Sequence, residues 1–178
     1  MLKVFLTDLA AYNSGALIGK WIELPLTDLE LHTAINEVLT EGEAAVDGEN
    51  HEEWFITDYE WEAINLCSID EYENVFKLNS KLELLIEVDE YKLKAIKFIL
   101  DEQFTADIKD AILKADDVIV HSNQSLEDVA YDLIQECYDV DILPKIISNN
   151  IDYKGIAKDL ESDGIYFEVD GDIFEYIG

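Results

Sequence analysis

The chain has 178 residues, 49% of them hydrophobic, and sets 41 acids against 12 bases for a formal net charge of −29 at pH 7. All twelve bases are lysines, and arginine is the residue suited to bidentate phosphate recognition, so nucleic acid and anionic membrane surfaces are excluded as partners and a positively charged partner is expected. No segment is long and apolar enough to span a bilayer, and the N-terminus lacks a signal peptide's basic-then-apolar plan, so a soluble, cytoplasmic protein is expected.

In chain order, residues 3–9 alternate as a strand does. Tyr12-Asn13-Ser14-Gly15 is turn chemistry, and 17–24 form a second strand in which Gly19 marks a bulge or a close backbone approach before Pro25 ends it. Thr27-Asp28-Leu29-Glu30 spells a capping box for a helix with Leu31, Ala34, Ile35, Val38 and Leu39 on its inner face. An acidic, glycine-containing loop over 41–51 leads to a third strand over 54–61. Ser68-Ile69-Asp70-Glu71 spells another capping box, predicting a helix with Ile69, Tyr72, Val75 and Phe76 inward. Helical turns follow at 80–88, 89–103 and 106–115, then a short apolar strand at 118–121. Ser125 caps a helix carrying Leu126, Val129, Ala130, Leu133, Ile134 and Cys137 at helical spacing. A short helix with Pro144 in its first turn is expected over 141–148. Tyr153, Ile156, Ala157 and Leu160 define a last helix ending near Gly164, before a hairpin turning at Asp170-Gly171.

No phosphate-binding glycine loop, nucleophile elbow or zinc-protease motif is present, so no enzyme activity and no cofactor are expected. His32, His51 and His121 stand apart and read as surface or packing residues, and Cys67 and Cys137 as small buried hydrophobes. Asp159 to Asp170 imitates a calcium loop in spacing, but the hairpin that follows replaces the exiting helix such a loop requires.

Charge placement carries more information. Residues 21–76 hold sixteen acids and no lysine, while Trp21, Trp54, Phe55, Tyr59, Trp61, Tyr72 and Phe76 run through the same stretch. Disordered acidic tails lack such residues, so this is a folded domain with a negative surface. Residues 77–114 are nearly neutral, with Glu90 and Lys94, and Lys97 and Asp101, placed as opposite-sign i,i+4 pairs. The helix after Ser125 does the reverse: Asp128, Asp132 and Glu136 form an i, i+4, i+8 ladder, with Glu127 beside it and no cation. Asp28 and Glu30 with Glu37 and Glu41, then Asp70, Glu71 and Glu73, repeat the choice. Like-charge helical pairs each cost roughly 0.2–0.5 kcal/mol. A repeated destabilising choice favours function, and these eleven carboxylates are the expected interaction surface.

Twenty-nine charges at the linear density of duplex DNA correspond to about 49 Å, or roughly 14–15 base pairs. The distribution therefore fits a protein that imitates DNA. Two rivals belong to other classes: an acidic-surface enzyme from a high-salt organism, and an acidic binding module for a basic protein. The neutral block and the missing catalytic constellation argue against the first, and the second differs from mimicry only in its partner. Val118, Ile119 and Val120 form a short apolar strand whose edge is expected to pair with a second copy, making a homodimer.

Three motifs add a resemblance. Tyr12-Asn13-x-Gly15-x-Leu17-x-Gly19-x-Trp21-Ile22, Glu53-Trp54-Phe55-Ile56-x-Asp58-Tyr59-Glu60 and Asp152-Tyr153-x-Gly155-Ile156-Ala157-x-Asp159-Leu160-x-x-x-Gly164 resemble the antirestriction protein ArdA family, in the family's order. Lys158 stands where arginine is expected, in keeping with a chain without arginine. The resemblance implies an α+β fold: an elongated, curved chain of three small domains, with antiparallel-sheet domains at both ends (1–62 and 105–178) and a helical domain between (63–104), dimerising through the last. It further implies a mimic of bent DNA that occupies the DNA-binding groove of type I restriction–modification enzymes, carried by plasmids and conjugative transposons. The motif residues are expected to be structural: Gly15 and Gly19 for backbone geometry, Trp21, Trp54 and Tyr153 for packing.

Overall fold

Strand β1 (Leu2–Asp8) turns Leu2, Val4 and Leu6 to one side, where all three lose their exposure to solvent entirely. It is the middle strand of an antiparallel sheet in the computed structural model, which describes residues 1–46 and 50–178. The described residues fall into two compact units, Met1–Asp89 and Glu90–Gly178.

In the first unit, Asp8 closes β1 and accepts the Ala11 N–H at 2.7 Å, capping a short helix, α1 (Leu9–Asn13), where turn chemistry alone was expected. Gly15 then takes φ +87°, a conformation glycine adopts without a Cβ clash. Strand β2 (Gly19–Leu24) pairs with β1 from Thr7↔Gly19 to Leu2↔Leu24. A Cβ on Gly19 would collide with the Leu6 carbonyl, so Gly19 marks a close backbone approach. The Thr27–Glu30 capping box forms and opens α2 (Asp28–Ala45), whose Leu31, Ala34, Ile35 and Val38 bury at helical spacing. The loop expected from residue 41 is helical as far as Ala45, and its residues 47–49 lie outside the described residues. Strand β3 (Trp54–Trp61) pairs with the other edge of β1, with a register shift between Phe5 and Leu6.

The second capping box does not form. Residues 68–73 are not helical; α3 (Val75–Glu83) begins later, capped by Asn74. The Glu71 carbonyl accepts the Ile56 N–H of β3 at 2.8 Å, which ties this segment to the sheet, and Asp70 accepts the Tyr72 N–H in a local turn. Buried Asn79 on α3 binds both the N–H (2.7 Å) and the carbonyl (2.9 Å) of Leu26, satisfying its polar atoms.

The second unit begins with α4 (Glu90–Asp101) and α5 (Ile108–Lys114), followed by β4 (Val118–His121). Ser125 caps α6 (Leu126–Cys137); beyond it α7 (Lys145–Ser148) is preceded by Pro144, and α8 (Tyr153–Asp163) ends at Gly164 with φ +74°. Asp159 to Asp163 are thus helical rather than a cation-binding loop. Strands β5 (Tyr166–Val169) and β6 (Asp172–Tyr176) are joined by Asp170 and Gly171, both at positive φ, as a tight hairpin demands. The strand order is β4-β6-β5, all antiparallel. Phe98 of α4 stacks on Phe174 at 4.7 Å and meets Phe167 edge-on at 5.1 Å. Ala130 of α6 packs with Ala157 and Leu160 of α8, and Tyr166 closes this cluster.

The fold is mixed α+β, as expected, with an antiparallel three-stranded sheet toward each end of the sequence and helices between. The segment 63–104, expected as a central helical domain, contributes α3 to the first unit and α4 to the second.

Candidate acidic interaction surface

The four ladder carboxylates all lie on α6. Glu127, Asp128 and Glu136 are exposed and Asp132 is half-buried, on a helix without a cation. Two of these carboxylates also have local work. Asp128 accepts hydrogen bonds from the Ser125 hydroxyl (2.6 Å) and N–H (2.9 Å), and these hold its carboxyl below the usual range. Asp132 accepts from the Gln124 amide at 2.8 Å. Both partners are neutral, so neither bond removes charge.

On α2, Asp28, Glu30, Glu37 and Glu41 are all exposed. Glu30 repeats the role of Asp128: the Thr27 hydroxyl (2.7 Å) and N–H (3.0 Å) bond to it and depress its pKa. Glu37 differs, because Lys20 pairs with it at 2.5 Å and offsets its charge. Asp70, Glu71 and Glu73 lie on the non-helical approach to α3 rather than on a helix face; Asp70 and Glu71 are exposed and Glu73 is half-buried. The eleven carboxylates therefore lie on α2 and the 68–74 segment of the first unit and on α6 of the second.

In the neutral block, Lys97 and Asp101 pair as expected at 2.6 Å. Lys94 does not pair with Glu90; it reaches Asp172 at 2.6 Å, bracing α4 against the start of β6. Asp172 also accepts the Asn123 N–H at 2.8 Å, a partner 49 residues away that no local spacing announces.

Of the expected dimer strand, Val118 and Val120 are buried within the unit and Ile119 is 41% exposed. The outward N–H of Val120 on this edge strand donates to the Tyr91 hydroxyl at 2.8 Å. Cys67 is half-buried, and burial pushes its thiol pKa up; Cys137 is exposed, correcting the expectation that both are buried. His51 is buried against Asp8 (Nδ1 to Oδ2, 2.7 Å), His121 lies 3.2 Å from Glu175, and His32 packs on Phe76. Among the described residues no three or more His, Cys, Asp or Glu gather as a metal-binding group, and no helix is long and apolar enough to cross a membrane.

One feature escaped the sequence reading. The face of the N-terminal sheet carrying Phe5 and Trp21 holds an open groove of about 550 Å³, reached also by Tyr12, Phe55, Asp58, Glu71 and Tyr72. Trp21 is 45% exposed here rather than packed away. Period two was the available signal: Phe5 lies opposite in phase to Val4 and Leu6, and Trp21 to Ile22.

A family model described as antirestriction protein (ArdA) matches residues 4–175. No curated protein sequence matches the chain. A match over nearly the whole length, through both units and every motif singled out above, is decisive: the chain belongs to the ArdA family of antirestriction proteins.

Proposed function

We propose that the protein imitates DNA: its carboxylates occupy the DNA-binding groove of a type I restriction–modification enzyme and block restriction and modification. The family carries an antirestriction function and interaction with restriction enzymes; groove occupancy is the mechanism proposed for it. The observation that supports it most is the α6 ladder, four carboxylates on a helix without a cation, hydrogen-bonded only to neutral groups where bonds form. A surface evolved for solubility alone gains nothing from such spacing, whereas a basic groove reads the summed charge.

The protein acts without catalysis, in the cytoplasm, as a homodimer joined through the C-terminal unit. Tyr91 already occupies the edge N–H of Val120, so the contact rests on side chains rather than on extending the β4 ladder. Exposed Ile119, Tyr138, Ile142, Ile146 and Ile147 supply apolar area for it. The testing experiment is displacement of a labelled duplex from a purified type I methyltransferase. Competitive displacement by the protein is expected; a ternary complex with DNA still bound contradicts the proposal.

A further inference from the structure

We propose that the open groove on the N-terminal sheet receives a cationic side chain, a lysine or arginine presented by the partner protein. The inference deepens the proposed function and rests on its reading of the partner as a basic protein.

The groove is built from rings and carboxylates. Phe5 of β1 meets Trp21 of β2 edge-on at 5.4 Å, and Tyr12 meets Phe55 edge-on at 5.2 Å. Tyr72 stacks over Phe55 at 6.1 Å with 21° between the planes. Phe55 is buried as the floor, while Trp21, Tyr12 and Tyr72 remain 45%, 50% and 71% exposed. Three large rings at such exposure are unspent apolar surface, and ring faces attract cations through their negative quadrupole. Asp58, opposite Phe5 in the β1–β3 register, and Glu71 bring two carboxylates to the same lining.

Among the described residues no lysine lines the groove. Lys3 is paired with Glu62 at 2.8 Å and Lys20 with Glu37 at 2.5 Å, and residues 21–76 contain no lysine or arginine, so the charge this site lacks must come from outside it. A nucleic-acid base could stack on such rings, but its phosphates would meet Asp58, Glu71 and the surrounding acidic block. A guanidinium or ammonium satisfies the rings and the carboxylates together.

The test uses the whole 178-residue chain and no restriction enzyme, so its failure leaves groove occupancy by carboxylates standing. The probes are two capped pentapeptides of glycine, one with a central arginine and one with citrulline, its neutral isostere. Binding is followed by aromatic NMR. The arginine peptide should shift the Trp21 and Tyr72 ring resonances saturably, and the citrulline peptide should bind about tenfold more weakly. Trp21→Leu and Tyr72→Leu, which keep apolar bulk but lose the ring, should each weaken arginine binding several-fold. The double change Asp58→Asn with Glu71→Gln should weaken it about tenfold, while Glu87→Gln with Glu102→Gln, equal in net charge and outside the acidic surface described above, changes it less than twofold. Tyr72 is the more exposed of the two rings, so Tyr72→Leu keeps the test decisive should Trp21→Leu unfold the sheet. Equal affinity for the citrulline peptide, shifts that bypass Trp21 and Tyr72, or an equal loss in the control pair overturns the proposal.

Discussion

Gly42 sits on α2 where a single added methyl would collide with the Asp8 carboxylate and crowd the His51 ring. Alanine ordinarily gains about 1 kcal/mol over glycine inside a helix. Here the neighbours are a buried carboxylate already bonded to Ala11 and close to His51, so they cannot yield. Gly42→Ala should therefore destabilise the first unit by about 1–3 kcal/mol, read from the urea midpoint. Asp172 is the corresponding anchor of the second unit. The Lys94 ammonium holds its carboxyl below the usual range, against the opposing effect of burial, and the Asn123 N–H assists. The same contact raises the Lys94 pKa. A depressed folded-state pKa means stability that is complete above the ordinary carboxylate range and lost as pH falls through the folded value. Asp172→Asn should lower the urea midpoint at neutral pH and remove part of the acid-side decline. The raised Lys94 value works in the other direction, its share being lost only as pH rises past the ordinary lysine range. Tyr166, pushed up to about 12 chiefly by burial and then by Glu175, should resist ionisation in a spectrophotometric titration until well above pH 10.

At the level of elements, the structure divides the α6 ladder by role. Neutralising Glu136 relieves repulsion from Asp132. Neutralising Asp128 relieves repulsion too, but it weakens the reciprocal cap with Ser125, and the cap is the stronger term. Glu136→Gln should raise the melting temperature slightly while Asp128→Asn lowers it; a rise in both would remove the structural role assigned to the cap. Where signals were local, the sequence was legible: β3 and β4 fall on their expected residues, and the Thr27 box and the Ser125 cap open their helices where expected. The Ser68 box failed because its competitor is distant, the Ile56 N–H of β3, beside the register shift against β1. Lys94 chose Asp172 over Glu90 for a like reason: tertiary proximity offers a carboxylate that helical spacing does not reveal. The acidic residues were legible as charge, whereas the aromatic groove was not, because its rings come from segments as far apart as Phe5 and Tyr72.

For the molecule as a whole, a net charge of −29 makes salt the natural variable. Self-repulsion opposes folding and is screened as ionic strength rises, so the melting temperature should climb with added NaCl. Attraction to a basic groove is screened over the same range, so inhibition should weaken. Opposite signs for stability and binding distinguish a charge mimic from a protein whose inhibition rests on apolar contact. The most direct test titrates the protein and two neutralised sets against a type I methyltransferase bound to labelled duplex, beside their urea midpoints. One set replaces Glu127, Asp132 and Glu136, and the other Asp28, Glu41 and Glu73, each by its amide. Competitive displacement of DNA, weakened by either set and weakened further by both while the folds persist, is the predicted result. Undiminished displacement with both sets neutralised would contradict DNA mimicry.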